Sequence, residues 1–142
     1  DAAVSIRSGF QKLFRSGFNV YTSADQDVQL ITLSRMKAGD VLMAVSYSGR
    51  TKSVVELVKY ARSLGIIVVS ITNFPATPLC KNSDIILYTA AFASHTNGEV
   101  VSKRATELCI IESLYVNLLL RASRQTGEAI RRSSEAITIN KL

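Results

Sequence analysis

The sequence predicts an α/β protein in which helices cover both faces of a parallel sheet. Three observations carry this. Short apolar runs of strand character recur between stretches of helical pattern. The run Ile66 to Ile71 is nearly all β-branched and does not alternate with polar residues, as in a strand buried on both faces. Glycine stands at two helix-to-strand connections, Lys37-Ala38-Gly39-Asp40 and Leu64-Gly65, where a helix C-terminus favours it. Such alternation builds βαβ units.

In chain order, a helix is expected over Val4 to Arg15, then a short strand over Phe18 to Tyr21. A helix over Val28 to Met36 leads through the first glycine connection to a strand at Val41 to Val45. A helix over Val54 to Leu64 precedes the strand Ile66 to Ile71. A short turn near Leu79 to Asn82 and the pair Ser83-Asp84 lead into a strand at Ile85 to Tyr88. The loop Ser94-His95-Thr96-Asn97-Gly98 divides that strand from one long helix, Glu99 to Arg124. In it Leu108, Ile111, Tyr115 and Leu118 fall at spacings of three and four and can share one face. Thr126-Gly127 is read as a break, followed by a more polar helix from Glu128 to about Ile137.

Ligands of open parallel sheets bind at the carboxyl ends of the strands. Three loops leave such ends: Ser46 to Lys52, Thr72 to Pro75, and Thr89 to Gly98. The first, Ser46-Tyr47-Ser48-Gly49-Arg50-Thr51-Lys52, is the most telling stretch of the chain. It joins a buried strand to a helix N-terminus, whose first-turn N–H groups lack intrahelical partners and whose dipole end is positive. Ser46, Ser48 and Thr51 add hydroxyls that can donate to phosphate oxygens, Gly49 lets the backbone come close, and Arg50 and Lys52 add positive charge. An ordinary turn with a helix cap uses the same residue types, and both readings stand at this point.

Composition narrows the field. A chain of 142 residues is long enough for one substantial core, and 47% apolar with 20% charged residues marks it as globular. Cys80 and Cys109 lie far apart without metal-ligand spacing, which reads as two buried free thiols in a reducing, cytoplasmic setting. The stretch Leu108 to Leu120 is too short and too interrupted to span a bilayer, so no membrane partner is expected. The net charge of +6 is spread along the chain with no compact basic run, which argues against direct contact with nucleic acid. Residue 1 is an aspartate rather than an initiator Met, as in a piece of a longer protein.

Several segments together resemble a known family. Gly39-Asp40-Val41, Val45 to Lys52, Ile71-Thr72-Asn73-Phe74-Pro75, Pro78-Leu79 and Ser83 to Leu87 occur in an order that resembles the sugar isomerase (SIS) domain. The Tyr-Ser-Gly-Arg-Thr form of the loop, with the Ile-Thr-Asn segment, is similar to the version fused to RpiR-type bacterial transcriptional regulators. Lys12 to Gly17 is similar to that domain's first helix. The resemblance implies a three-layer αβα sandwich with a flavodoxin-like, SIS-type sheet, and a single domain over residues 1–142. It also implies a phosphorylated sugar as ligand, with no cofactor and no metal. Ser46, Ser48 and Thr51 would hold the phosphate, helped by the backbone of Tyr47 and Gly49, with Arg50 beside them. A glutamate and a lysine near the start of the long helix approach the sugar in SIS enzymes, and Glu99 and Lys103 are the candidates here. SIS domains begin with a strand and a glycine-rich loop before the first helix. This sequence starts at or beyond that loop, so the sheet is expected to lack its first strand. DNA would be reached only through a domain absent from this chain.

An isomerase needs an acid and a base. His95, the only histidine, and Glu99 are the available groups, and neither is assigned a catalytic role. Binding alone needs only the hydroxyl loop. The first expectation is therefore the sensor domain of a sugar-phosphate-responsive regulator. A sugar-phosphate aldose–ketose isomerase is the alternative, and a ligand-free dimerisation module the third. The long helix carries more apolar residues than one face uses, which predicts a homodimer or homotetramer.

Overall fold

The computed structural model describes residues 3–90, 101–121 and 123–141. Among these residues six helices surround three strands: α1 (Ala3–Arg15), α2 (Gln26–Ser34), β1 (Val41–Val45), α3 (Lys52–Ser63), β2 (Ile67–Thr72), α4 (Pro78–Lys81), β3 (Ile85–Tyr88), α5 (Val101–Leu120) and α6 (Arg124–Thr138). The sheet is parallel, in the order β1-β2-β3. Val41 aligns with Ile67 and Val69 with Ile85, so the three strands end at one edge.

Each face of the sheet buries its own core, which makes the fold a three-layer sandwich. On one face Ala44 and Val68 meet Val55, Val58 and Ala61 of α3, with Leu33 of α2 and Leu79 of α4 closing the cluster. On the other face Val45 and Ile71 meet Ile111 of α5, with Ile6 of α1 at its margin. The period of two along the strands sends neighbouring residues to opposite faces, so a fully covered strand reads as a continuous apolar run.

Local chemistry sets the helix ends. Asp25 caps α2 by accepting from the Val28 N–H. In α3 the buried residues fall three apart while Glu56, Lys59 and Arg62 face solvent. The helix closes with Gly65 N–H on Arg62 O and Ile66 N–H on Ala61 O, the paired bonds of a Schellman motif. On the far face, α1 and α5 lie so close that a Cβ on Gly9 would stand 2.7 Å from Ile111 Cγ2. Lys12 of α1 pairs with the Glu112 carboxylate and lies 5.6 Å from the Tyr115 ring centroid. The Ser16 hydroxyl lies within hydrogen-bond reach of the Tyr115 hydroxyl at 3.1 Å. Arg15 reaches Ser134 of α6 at 3.0 Å, tying that exposed helix to α1.

Four sequence expectations change. Phe18 to Tyr21 is not a strand: β1 ends the ladder, no described residue pairs with this run, and a strand exists only through its ladder bonds. The helical break falls before Arg124, with Ser123 at the N-cap position, and Gly127 lies inside α6. A single glycine costs an exposed helix only about 1 kcal/mol, which the rest of α6 absorbs. The buried face of α5 runs through Glu107 and Ile111 and leaves Leu118 41% exposed. The cysteines are free, as expected, but not buried: Cys109 is exposed on α5 and Cys80 half-buried. Expectations for residues 91–100, His95 and Glu99 among them, lie outside the described residues.

The shifted α5 face is testable. Ile111→Ala is expected to cost about 2–5 kcal/mol, as for a buried aliphatic residue, and Leu118→Ala less than about 1 kcal/mol. Urea unfolding of both variants measures this, and equal losses would contradict the observed packing.

Candidate functional site

β1 delivers the hydroxyl loop to the sheet's carboxyl edge. The Ser46 N–H still donates to Ile71 O at 3.0 Å, so backbone bonding to β2 continues past the last residue of β1. Its side chain is buried, and its Oγ lies 3.1 Å from Thr51 Oγ1 across the loop. Between them the chain turns back, with Gly49 N–H on Ser46 O at 3.1 Å. The Arg50 N–H donates to Ser48 Oγ at 3.3 Å, while the Arg50 side chain is exposed.

The loop's carbonyls are held on the protein side. The Tyr47 carbonyl accepts from the Asn73 N–H at 3.0 Å and from Thr72 Oγ1 at 3.2 Å. The Gly49 carbonyl accepts from the Leu79 N–H at 3.1 Å, and the Thr51 carbonyl from Val55 N–H at 3.0 Å. Thr51 occupies the N-cap position of α3 with extended backbone but makes no side-chain bond to that helix. Its hydroxyl turns to Ser46 instead. The first turn of α3 thus meets the loop with its N–H groups uncapped by Thr51, an arrangement suited to an anion.

Gly49 fixes the loop against the next strand exit. Its φ is +63°, and a Cβ there would fall 2.3 Å from Thr77 Oγ1. Thr77 is itself fully buried and caps α4 by accepting from the Cys80 N–H at 3.3 Å. Cys80 Sγ also lies 3.2 Å from Thr77 Oγ1 and 3.8 Å from the Tyr88 hydroxyl. Burial pushes the Cys80 thiol up, but hydrogen bonds from Thr77 and Tyr88 outweigh it and hold the thiol below its usual range. The Tyr88 phenol, bonded to that sulfur, moves the other way.

The remaining strand ends complete the edge. Thr89 continues β3 and donates to Asn73 Oδ1 at 2.8 Å. The Tyr47 ring meets Phe74 edge-on at 5.4 Å, and Lys103 Nζ of α5 stands 4.9 Å from the Tyr47 ring centroid. Two sequence-selected regions 56 positions apart, at Tyr47 and Lys103, are thereby adjacent. Ser46, Tyr47, Ser48, Gly49, Arg50, Thr51 and Lys103 come together at this edge, whereas Glu99 lies outside the described residues.

Sequence reasoning missed three contributors. Thr72 and Thr77 brace the loop from behind, and Glu107 is a buried carboxylate one turn along α5 from Lys103. The i, i+4, i+8 series Lys103, Glu107, Ile111 was the available signal for Glu107, since Ile111 belongs to the core. Among the described residues no cluster of His, Cys, Asp and Glu could hold a metal, and no helix is long and apolar enough to cross a membrane.

Comparison with known proteins places this geometry in a family. The SIS domain profile matches residues 7–117. An HTH-type transcriptional regulator of Caldanaerobacter subterraneus subsp. tengcongensis is 28% identical over 129 residues, 89% of this chain and 46% of the regulator. The Vibrio vulnificus NanR protein complexed with ManNAc-6P superposes with a TM-score of 0.83 at 26% identity, over 96% of this chain and 51% of NanR. The sugar isomerase domain of an RpiR transcription factor from Sphaerobacter thermophilus gives a TM-score of 0.76 at 17% identity, over 95% and 73% of the two chains, and so speaks for the fold alone. The chain spans about half the length of the regulator and of NanR.

The Gly49–Thr77 contact predicts a graded pair of variants. Gly65 also has positive φ, +73°, but no described residue lies within 4 Å of where its Cβ would be. Gly65→Ala is expected to cost about 1–2 kcal/mol from backbone strain alone. Gly49→Ala should cost at least about 1 kcal/mol more through overpacking. Chemical denaturation of the two side by side checks this, and equal costs would remove the contact from the account.

Proposed function

The chain belongs to the SIS domain family, and from that premise we propose that it is the sugar-phosphate-sensing part of a transcriptional regulator. The observation that carries the reading is the loop from Ser46 to Thr51. It joins uncapped helix N–H groups, three hydroxyls and a glycine approach at the sheet edge where ligands of parallel sheets bind. A resemblance at 26% identity to a regulator complexed with ManNAc-6P supports the ligand class. The HTH-type relative supports the setting, with DNA contacted by a part of the protein outside this chain.

In this reading Ser46, Ser48 and Thr51 donate to the phosphate oxygens, helped by the backbone of Tyr47 and by Gly49, which lets the chain come close while its own N–H stays on Ser46 O. Arg50 adds long-range attraction from the rim. Lys103, drawn to the loop by the Tyr47 ring, faces the same anion. Glu99 remains a proposed sugar contact. Recognition of this kind needs no acid–base pair, so sensing is favoured over isomerisation. Exposed Val116, Leu118 and Leu120 on α5 support a second subunit as the cover for that helix. Sedimentation is expected to give a dimer or larger species, and a monomer at micromolar concentration would overturn that part.

Ser48→Ala and Thr51→Val are each expected to weaken sugar-phosphate binding by about tenfold or more, because a hydrogen bond to a charged group contributes roughly 1.5–3 kcal/mol. Titration calorimetry with ManNAc-6P and related sugar phosphates measures it. The same mixtures, followed by NMR, are expected to show no proton exchange at sugar C1 or C2 above background. Unchanged affinity in both variants would displace the site. Exchange abolished by His95→Ala or Glu99→Gln would favour the isomerase.

A further inference from the structure

The carbonyl of the Tyr47–Ser48 peptide is held by the end of β2 and the residue after it. Two donors converge on the Tyr47 carbonyl: the Asn73 N–H at 3.0 Å and the Thr72 hydroxyl at 3.2 Å. A trans peptide is planar, so the N–H on its far end points opposite to the carbonyl. With the carbonyl drawn toward β2, the Ser48 N–H is turned away from β2. Among the described residues no backbone carbonyl accepts from it.

Thr72 has little other reason to be polar. It ends β2, is 1% exposed, and stands in a strand whose other residues are Ile67, Val68, Val69, Ser70 and Ile71. Valine has the same shape and a high strand preference. The hydroxyl is explained by the carbonyl it serves. Asn73 N–H alone would satisfy that carbonyl, so Thr72 adds direction rather than rescue of a buried group.

We propose that Thr72 is a positioning residue of the anion site, fixing the Tyr47–Ser48 peptide so that the Ser48 N–H is presented to the bound phosphate. It touches no ligand. This rests on the reading given under Proposed function and adds to it a residue outside the hydroxyl loop. The principle is preorganisation: donors already aimed at a charge need no reorientation when it arrives.

The test is an NMR titration of the protein with inorganic phosphate, following the Ser48 amide, alongside thermal unfolding of each variant. Thr72→Val is expected to weaken phosphate binding about tenfold and to shrink the Ser48 amide shift, with an unfolding temperature near that of the parent. Thr72→Ser keeps the hydroxyl and is expected to bind within about twofold of the parent. Should Thr72→Val fail to fold, Thr72→Cys takes its place, with similar volume and only a weak donor, and the same loss is expected. Parent-like phosphate binding in the folded hydroxyl-free variant would overturn the proposal. The outcomes separate from those for the site itself. If Ser48→Ala and Thr51→Val weaken binding and Thr72→Val does not, only the positioning role fails.

Discussion

The contact between Gly49 and Thr77 is the constraint on which the rest of the site depends. These two residues lie in different strand exits, and the Thr77 side chain fills the space that a Cβ on Gly49 would need. The approach fixes the first loop against the second at a distance set by the chain itself. From it follow the Leu79 N–H on Gly49 O and the start of α4 with its Thr77 cap. Thr77 therefore acts twice, as the wall for Gly49 and as the cap that orders its own segment. A contact of this kind resists change from either partner, because the Thr77 side chain is short, fully buried and held by its cap bond from the Cys80 N–H.

The two cores reach the site by different routes. The α3-side core fixes the axis of α3, and so the direction in which its first N–H groups point. The α5-side core fixes Ile111, and the helix repeat then places Glu107 and Lys103 one and two turns nearer the loop. Lys103 meets the Tyr47 ring because both lie at the same end of the layer they share. Structure on both faces of the sheet thus converges on a single loop. The convergence needs the strands to be in register, which the β1–β2 ladder supplies up to Ser46.

What could be read from the sequence was what local chemistry determines. The three paired strands, the α3 amphipathicity and the hydroxyl loop follow from composition and spacing over fewer than about a dozen residues. What could not be read depends on partners far away in sequence. Phe18 to Tyr21 has strand composition, but a strand needs a neighbour, and the neighbour is a matter of topology. Gly127 has breaker composition, yet α6 rests on α1 through Arg15 and Ser134, and tertiary contact overrides one weak residue. Thr72 and Thr77 are unremarkable threonines until the backbone of another segment arrives beside them. Glu107 sits in an apolar helical run, where an acid reads as solvent-facing until the packing of Ile111 turns that face inward.

Thr51 breaks a local rule, and the break carries information. A threonine at this position ordinarily accepts from its own helix, and losing such a cap costs about 1 kcal/mol. Here the hydroxyl faces Ser46 instead, so the first turn of α3 is left to other acceptors. Departures from local preference concentrate where function requires them. On the proposed reading the phosphate is the missing cap. Binding would then stabilise the start of α3 as well as fill the loop, and ligand present at 100 times its dissociation constant would add about 2.7 kcal/mol to the folded state. An anion that completes a helix terminus couples occupancy to backbone order directly. α3 is anchored by Val55, Val58 and Ala61 along the length of the sheet, so that order is not confined to the loop. For the proposed sensing role this coupling would be sufficient in itself: the response would be a shift in conformational stability, with no bond in the ligand changed.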